Sequence, residues 1–222
     1  MKHGQGTDIF ANGDSYSGTY VMGKPEGQGQ YKWKNGSVYI GEFKNGLKHG
    51  KGKWKKKANS NQCNMYEGSY ENDKKNGMGI FTWESGNYYK GCYKGDERHG
   101  YGEMYWKDGS CYKGEWKGGI QNGYGRMEFP DGRVKEGLFE NNTFKGPQIN
   151  TPEIRSLKAQ ELMLHQTLSA SPDPRMRLKS RGGSNPRQLL VDAGKIKLTK
   201  QLDKIPTSPE VEQPGSALLD PS

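Results

Sequence analysis

The sequence predicts an all-β protein: an elongated single-layer antiparallel sheet of consecutive β-hairpins, with a short C-terminal helix and a disordered tail. The first observation behind this prediction is a series of glycines that recurs every 23 residues, with one interval of 27. Its members are Gly4, Gly27, Gly50, Gly77, Gly100, Gly123 and Gly146. Fixed periods of this size are typical of repeat arrays, in which each unit contacts mainly its neighbours. The other two observations are the alternation of aromatic residues and a change of composition near residue 146.

A second glycine series runs in step with the first, through Gly18, Gly41, Gly68, Gly91, Gly114 and Gly137. Its 27-residue interval falls at the same place, so four residues have been inserted once, between Gly52 and Tyr66. Hairpins are strongly favoured by the turn dipeptides Asn12–Gly13, Asn35–Gly36, Asp108–Gly109 and Asp131–Gly132. Each repeat is therefore predicted to be one hairpin, and the insertion replaces the turn of the third with a longer loop at residues 55–62.

Aromatic residues alternate with other residues along the strands, which places them on one face of the sheet. Around the second glycine series the returning strands carry Tyr16, Tyr39, Tyr66, Tyr89 and Tyr112, followed by Tyr20, Phe43, Tyr70, Tyr93, Trp116 and Phe139. The outgoing strands carry one column of Asp8, Tyr31, Trp54, Phe81, Met104 and Met127 and a second of Phe10, Trp33, Lys56, Trp83, Trp106 and Phe129. The aromatic columns are predicted to form the core, and the glycines leave room for neighbouring rings.

The composition changes near residue 146. All 24 Trp, Tyr and Phe residues lie between Phe10 and Phe144, whereas nine of the 11 prolines follow residue 146. We therefore expect a repeat array over residues 1–146, a helix within 147–169 and a mostly disordered tail over 170–222.

The predicted helix starts at Thr151–Pro152, a favourable N-cap followed by a first-position proline. Ile154, Leu157, Leu164 and Leu168 fall on one helical face. Two roles are open for this helix: it caps the exposed edge of the last hairpin, or it binds a partner.

Composition limits the function classes. The chain is only 30 % hydrophobic and carries a net charge of +9, which favours acidic partners. Three cysteines without a CxxC pair fit a reducing compartment, and the sequence has no apolar run of signal-peptide or membrane-spanning length. The sequence therefore predicts a soluble intracellular protein.

The residues do not predict an enzyme. The GxG elements occur in every repeat without the lysine-serine or helical pattern of a phosphate-binding loop. His3, His49 and His99 share a repeat position, but neighbours among them lie about two repeats, roughly 19 Å, apart in a sheet, which is too far to share a metal ion. No serine, cysteine or aspartate has a base at a defined spacing. We expect no catalytic residue, metal or cofactor.

One hairpin is crowded with lysines: Lys48, Lys51, Lys53, Lys55, Lys56 and Lys57. One interpretation is a solvated face that keeps the sheet soluble. The other is a patch for anionic lipid headgroups or acidic protein tails. Nucleic acid is disfavoured because the aromatic residues follow the repeat and are already used for packing.

The repeats resemble the MORN family, whose pattern is close to YxGEWxxGxxHGxGxxxxxDGxxY. The match is clearest over YIGEFKNGLKHGKGKW (Tyr39–Trp54) and YKGEWKGGIQNGYGRM (Tyr112–Met127), and it covers about residues 2–146 with about six repeats. The resemblance implies an elongated, twisted sheet used as a scaffold. Members of the family include radial spoke head proteins of cilia, junctophilins, parasite cytoskeletal proteins and non-catalytic regions of lipid kinases and a SET-domain methyltransferase.

Two functions follow as hypotheses. The first is a protein-binding scaffold in the cytoplasm, on the cytoskeleton, most specifically in the axoneme of a cilium or flagellum, as the likeness to radial spoke proteins implies. Its partner groove is predicted to be lined by Tyr39, Tyr66, Tyr89, Tyr112 and Trp116, because tyrosine and tryptophan often anchor interfaces. The second is a membrane-associated module that binds anionic phospholipid through the basic hairpin. A third interpretation makes the chain an accessory region of a longer enzyme.

Overall fold

The computed structural model describes residues 1–56, 63–147 and 151–169. Thirteen antiparallel strands form one open sheet, and each strand pairs with its neighbours in sequence. The strands are β1 (Gly4–Ile9), β2 (Ser15–Val21), β3 (Lys24–Lys32), β4 (Val38–Lys44), β5 (Leu47–Lys55), β6 (Met65–Glu71), β7 (Lys74–Thr82), β8 (Tyr88–Lys94), β9 (Glu97–Tyr105), β10 (Cys111–Lys117), β11 (Ile120–Glu128), β12 (Val134–Glu140) and β13 (Thr143–Gly146), and the helix is α1 (Thr151–Ser169). The predicted fold class is confirmed.

The connections along the two ends of the strands differ. At one end lie five-residue loops that contain the predicted Asn-Gly and Asp-Gly dipeptides. In the first loop, the backbone carbonyl of Asp14 accepts a hydrogen bond from the backbone N–H of Phe10 at 2.9 Å. At the other end lie two-residue turns such as Asn72–Asp73, whose φ values of 49° and 68° are both positive. Turns of this kind match the twist of the flanking strands and hold each strand against the next.

The glycine series are required for two different reasons. Glycines of the first series have a left-handed backbone, as at Gly77 with φ 82°. In every second strand pair the register shifts next to two opposed glycines, such as Gly68 and Gly79, and Gly77 lies at that shift. Glycines of the second series instead need space: a Cβ on Gly91 would lie 2.5 Å from the Cα of Gly102 on the paired strand. A side chain at a glycine of either series would therefore distort the hairpin, which explains why the two series run in step.

The predicted core face is confirmed. One continuous cluster contains the five tyrosines Tyr16, Tyr39, Tyr66, Tyr89 and Tyr112, with further rings from every repeat packed against them. We call this side of the sheet the tyrosine face and the opposite side the back face.

The helix is present, but its buried contacts lie elsewhere than predicted. Leu164 and Leu168 pack against Ile80, Tyr101 and Tyr124, which come from β7, β9 and β11 on the back face. The expectation that α1 covers the edge of the last hairpin is therefore wrong for these two leucines, because the back face offers them an apolar surface and a strand edge does not. The side chains of residues 154 and 157, most of the predicted insertion loop and the whole of 170–222 lie outside the described residues.

Candidate interaction surfaces

The five residues predicted to line a partner groove lie in one row on the tyrosine face: Tyr39, Tyr66, Tyr89, Tyr112 and Trp116. The four tyrosines are 0 % exposed and the tryptophan is 3 % exposed. Their rings meet edge to face, and the centroids of Tyr89 and Trp116 are 5.4 Å apart. The hydroxyls are also engaged, since that of Tyr66 donates to the carbonyl of Ser69 at 3.0 Å. This row is the floor of the face, and its contact with a partner stays a prediction.

Beside the floor lie four half-buried indole rings, which we call the tryptophan row: Trp33, Trp83 and Trp106 share one repeat position, and Trp54 lies two residues earlier in its repeat. Each packs against the core cluster; the ring centroid of Trp83, for example, lies 4.6 Å from that of Phe81. At the start of the array, Phe10 is 39 % exposed and stacks on Tyr31. The residue pattern predicts that these rings belong to the core, but the structure leaves part of each accessible on the tyrosine face.

A row of cationic side chains, missed as a group by the sequence analysis, lies over the buried rings. Lys75 Nζ is 5.9 Å from the ring centroid of Tyr66, and Arg98 Cζ is 4.4 Å from that of Trp116. Lys48 takes the same place one repeat earlier, and burial lowers its pKa. Each of these cations lies two residues before a glycine of the first series, so the repeat spacing could have identified this row from the sequence. Cation–ring contacts of this kind stabilise the row of rings.

The structure divides the predicted basic patch between the two faces of the sheet. Lys48 lies on the tyrosine face, with its ammonium 3.9 Å from the carboxylate of Asp73. Alternation along β5 places Lys51, Lys53 and Lys55 on the back face. There Lys53 pairs with Glu67 at 2.9 Å, and the other two are exposed. Of the remaining members, Lys56 is exposed after the end of β5 and Lys57 lies outside the described residues.

A buried charge cluster that the residue pattern did not predict lies on the back face beneath α1. Lys90 on β8 and Glu103 on β9 are register partners with 2.8 Å between Nζ and Oε2, and both side chains are 0 % exposed. From α1, His165 Nε2 lies 2.8 Å from Glu103 Oε1 and 3.3 Å from Lys90 Nζ. Tyr105 donates a hydrogen bond to Glu103 at 2.5 Å. The sequence could have predicted this pair, because Lys90 and Glu103 are next to Gly91 and Gly102, which oppose each other in the strand register.

These contacts set the charge of the cluster. Burial alone would raise the pKa of Glu103, but the hydrogen bond with His165 and the charge of Lys90 outweigh burial and lower that pKa to about 2. Glu103 is therefore a carboxylate at neutral pH, and its negative charge is matched by the ammonium beside it.

Three groups that commonly ligate metal ions meet in this cluster, since ligand atoms of Glu103, Glu161 and His165 all lie within 4.8 Å of one another. Lys90 already supplies a positive charge 2.8 Å from the glutamate. A metal cation would have to bind beside that ammonium, which electrostatic repulsion opposes. The cluster is therefore an ion-pair network rather than a metal centre.

The arrangement defines a class of protein: a repeat protein of β-hairpins that presents two chemically different faces. The family model described as MORN repeat matches residues 1–15, 16–38, 39–57, 66–88, 89–111 and 112–132. The matches cover more than half of the chain, which therefore belongs to the MORN repeat family, as the sequence pattern predicts.

Other comparisons add little to the family assignment. No curated protein matches the chain. One similar solved structure is the SAS-4 (dCPAP) TCP domain of Drosophila melanogaster in complex with a proline-rich motif of Ana2 (dSTIL); the two are 10 % identical, with 60 % of this chain and 77 % of that chain covered and a TM-score of 0.33. Among the described residues, no helix combines the length and apolarity needed to cross a membrane.

Proposed function

We propose that this chain is a non-enzymatic protein-binding scaffold whose array, residues 1–146, holds an extended segment or a helix of a partner protein along the tyrosine face. The observation that supports the proposal is the row of half-buried tryptophans on that face. Tryptophan and tyrosine combine a large apolar surface with a polar edge, and they are enriched among the residues that dominate interface energies.

The buried tyrosines beneath this row give it the rigidity that a binding surface needs. Each ring is fixed between a ring of its own strand and a ring of the next repeat, as Tyr66 is between Tyr70 and Tyr93 at centroid distances of 5.1 and 5.3 Å. The tryptophans are therefore held in place before a partner arrives, and little side-chain entropy remains to be lost on binding. In this proposal the five predicted groove residues act as the floor, and the tryptophans make the direct contact.

A paired substitution on the tryptophan row tests the proposal. Full-length tagged protein carrying Trp33→Ala and Trp106→Ala should lose the proteins that the wild-type chain recovers from the cells that express it. Ile40→Ala is the matched control, because Ile40 is an apolar residue on the back face that is 54 % exposed. Circular dichroism and thermal unfolding establish that each variant keeps its sheet.

Two outcomes contradict the proposal. In the first, the folded double variant recovers the same partners as the wild type. In the second, the Ile40→Ala control loses them to the same extent. Chemical cross-linking of the recovered complex adds an independent readout, since the partner should cross-link to Lys34 and Lys107, which follow Trp33 and Trp106 in the chain.

The cellular setting we propose is the cytoskeleton, and within it the axoneme of a cilium or flagellum. The support is the likeness to radial spoke head proteins noted from the repeat pattern. Imaging of the tagged full-length chain in ciliated cells tests the setting directly. Labelling along the axoneme is the expected result, and diffuse cytoplasmic labelling of a functional tagged protein would refute it.

Anionic phospholipid is the second candidate ligand, and the exposure of Lys51 and Lys55 on the back face favours it. Lipid binding through these lysines should be lost on Lys51→Glu and Lys55→Glu substitution and should weaken strongly with salt. Vesicles containing phosphatidylserine measure it, with vesicles of phosphatidylcholine alone as the control. No binding to the anionic vesicles at low salt would leave the protein scaffold as the better account.

A further inference from the structure

The first strand of the sheet pairs on one side only. β1 pairs with β2 and is first in the strand order, so its other side carries backbone groups that no described strand meets. Ile9 on this strand is 82 % exposed. An open strand edge is a template for pairing with another chain. We call the unpaired side of β1 the free edge.

The glycine at the centre of β1 lacks the ring contact that its counterparts make. In the hairpins that follow, the tyrosine ring of each returning strand lies over a glycine of the outgoing strand after it. A Cβ there would be 2.1 to 2.4 Å from the tyrosine hydroxyl, at Gly29, Gly52, Gly79, Gly102 and Gly125. Gly6 has the same repeat position, but the described atoms within 4 Å of its Cβ belong to Tyr20 at 3.5 Å. Gly6 therefore has space for one more tyrosine ring.

The ring of Tyr20 packs on one tyrosine, whereas its counterparts pack on two. Tyr20 meets Tyr16 of its own strand edge to face, at a centroid distance of 5.1 Å. One repeat later, Phe43 meets Tyr39 of its own strand at 5.2 Å and Tyr16 of the preceding returning strand at 5.0 Å. Both kinds of contact recur at Tyr70, Tyr93 and Trp116. A tyrosine over Gly6 would complete this pattern at Tyr20.

The cation at the start of the array shows the same difference. The ammonium of Lys2 lies 5.6 Å from the ring centroid of Tyr20, on the strand that follows it. Lys75 has the same repeat position and lies 5.9 Å from two rings, Tyr66 on the strand before it and Tyr93 on the strand after it. Within the described part of the chain, the glycine, the ring and the cation beside the free edge thus all lack the same neighbour, which is the tyrosine of a preceding returning strand.

From these observations we propose that the free edge of β1 binds an extended strand of another protein, which pairs antiparallel to β1 and has the sequence Tyr-x-Gly-x-aromatic. The glycine of that strand lies opposite Gly6, as Gly18 lies opposite Gly29 in the array, and its tyrosine ring covers Gly6. Main-chain hydrogen bonds provide affinity, and the space over Gly6 provides specificity. The tyrosine hydroxyl needs no acceptor from β1, because Tyr16 and its counterparts donate to a carbonyl of their own strand, that of Thr19 at 3.0 Å in the case of Tyr16.

The strand comes from a different protein because this chain has none to give. Its own Tyr-x-Gly strands, β2, β4, β6, β8 and β10, are each paired on both sides within the sheet. A second copy could donate one of them only by breaking its own array. Residues 147–222 contain no tyrosine, phenylalanine or tryptophan, so they lack the side chains that the site selects. The site uses no residue of the tryptophan row and goes beyond the proposed scaffold function.

A synthetic peptide of residues 37–45, which contains Tyr39, Gly41 and Phe43, is the probe for the free edge. It is offered to the full-length wild type, to Gly6→Ala and to Ile40→Ala as the matched control. Gly6→Ala keeps the fold, since its Cβ meets Tyr20 at an ordinary 3.5 Å, but it fills the space that the incoming ring needs. It should weaken binding at least about tenfold, whereas Ile40→Ala should leave binding unchanged. A peptide with Tyr39→Ala should bind the wild type at least about tenfold more weakly as well. Fluorescence anisotropy measures each affinity.

Hydrogen exchange shows where the peptide binds. With saturating peptide, amides of β1 should exchange at least about tenfold more slowly, and those of β13, the strand at the other end of the sheet, should be unchanged. The proposal is overturned if the peptide does not bind the wild type, if folded Gly6→Ala binds it equally well, or if the protection lies on β13. Protection at the tryptophan row in place of β1 would support the scaffold function and refute the strand site, so the two proposals fail separately.

Discussion

Gly79→Ala tests the central physical claim about the array, that the glycines exist to receive the tyrosine rings. A Cβ at this position would lie 2.5 Å from Cζ and 2.6 Å from Cε2 of Tyr66, whereas ordinary contact begins at 3.4 Å. The ring would therefore have to move by about 0.8 Å or more. It has no room to move, because Tyr70 and Tyr93 flank it and its hydroxyl donates to the Ser69 carbonyl.

The expected loss of stability follows from these contacts. Overpacking of a filled core costs about 1–3 kcal/mol, and losing the buried hydroxyl hydrogen bond costs about 1 kcal/mol more. We expect Gly79→Ala to lower the free energy of unfolding by about 2–4 kcal/mol. Gly6→Ala is the matched control: it is the same repeat position in β1, where the new Cβ would meet Tyr20 at an ordinary 3.5 Å. It should be neutral or stabilise by up to about 1 kcal/mol.

Denaturant unfolding followed by tryptophan fluorescence and circular dichroism measures both variants. A Gly79→Ala variant as stable as wild type would show that the tyrosine ring finds another position, against the expected steric conflict. An equal loss of stability in the two variants would show that the effect comes from alanine in a strand and not from the ring. A Gly79→Ala, Tyr66→Phe double variant separates the hydroxyl contribution from that of the ring.

Three further predictions concern charge and polarity. Because the folded pKa of Glu103 lies at about 2, the stability that its ionised form contributes is present above pH ~4.5 and is lost as the pH falls from there toward 2. Glu103→Gln should flatten acid unfolding in this range and, by removing the negative charge from the buried pair with Lys90, cost about 3–5 kcal/mol at neutral pH. Burial raises the pKa of Tyr88 to about 12, so the stability that its protonated form contributes to the fold is complete below pH ~10 and is lost as the pH rises toward 12. The phenolate absorbance of the wild type minus that of Tyr88→Phe should show this late titration. A difference centred near pH 10 would contradict the prediction. Asp14→Ala removes the acceptor of the Tyr31 hydroxyl at 2.7 Å and should cost about 1–3 kcal/mol in thermal unfolding, unlike Asp14→Asn, which keeps an acceptor.

The sequence could predict the sheet because every pairing in it is local. Each strand pairs with the next one along the chain, so the turn at Asn35–Gly36 and the alternation around Gly41 already determine order, register and face. The same alternation placed Tyr39 and Tyr112 on one face, and the structure confirms it. Repeat spacing carries this information redundantly, since an error in one hairpin would break the period of all the others.

The sequence was sufficient to locate the predicted site on one face of the sheet, but it did not determine how accessible each of its residues is. Period-2 alternation assigns Tyr66 and Trp83 to the same face without distinction. The structure buries the tyrosine completely and the tryptophan in part, because the tyrosine ring turns over the paired glycines of its own hairpin and is then closed in by a ring from the next repeat. Exposure depends on side-chain packing between repeats, which a residue pattern does not specify.

The sequence by itself thus determined the array: its period, its hairpins, its aromatic face and the existence of a helix starting at Thr151. Only the tertiary structure decided where that helix goes and what it covers. The apolar surface for Leu164 and Leu168 is assembled from Ile80, Tyr101 and Tyr124, which no local pattern connects to the helix. Docking of α1 brings together residues roughly 40 to 90 positions apart in the chain. It depends on complementary shape and charge between the helix and the sheet, and a repeat period does not encode contacts of this kind.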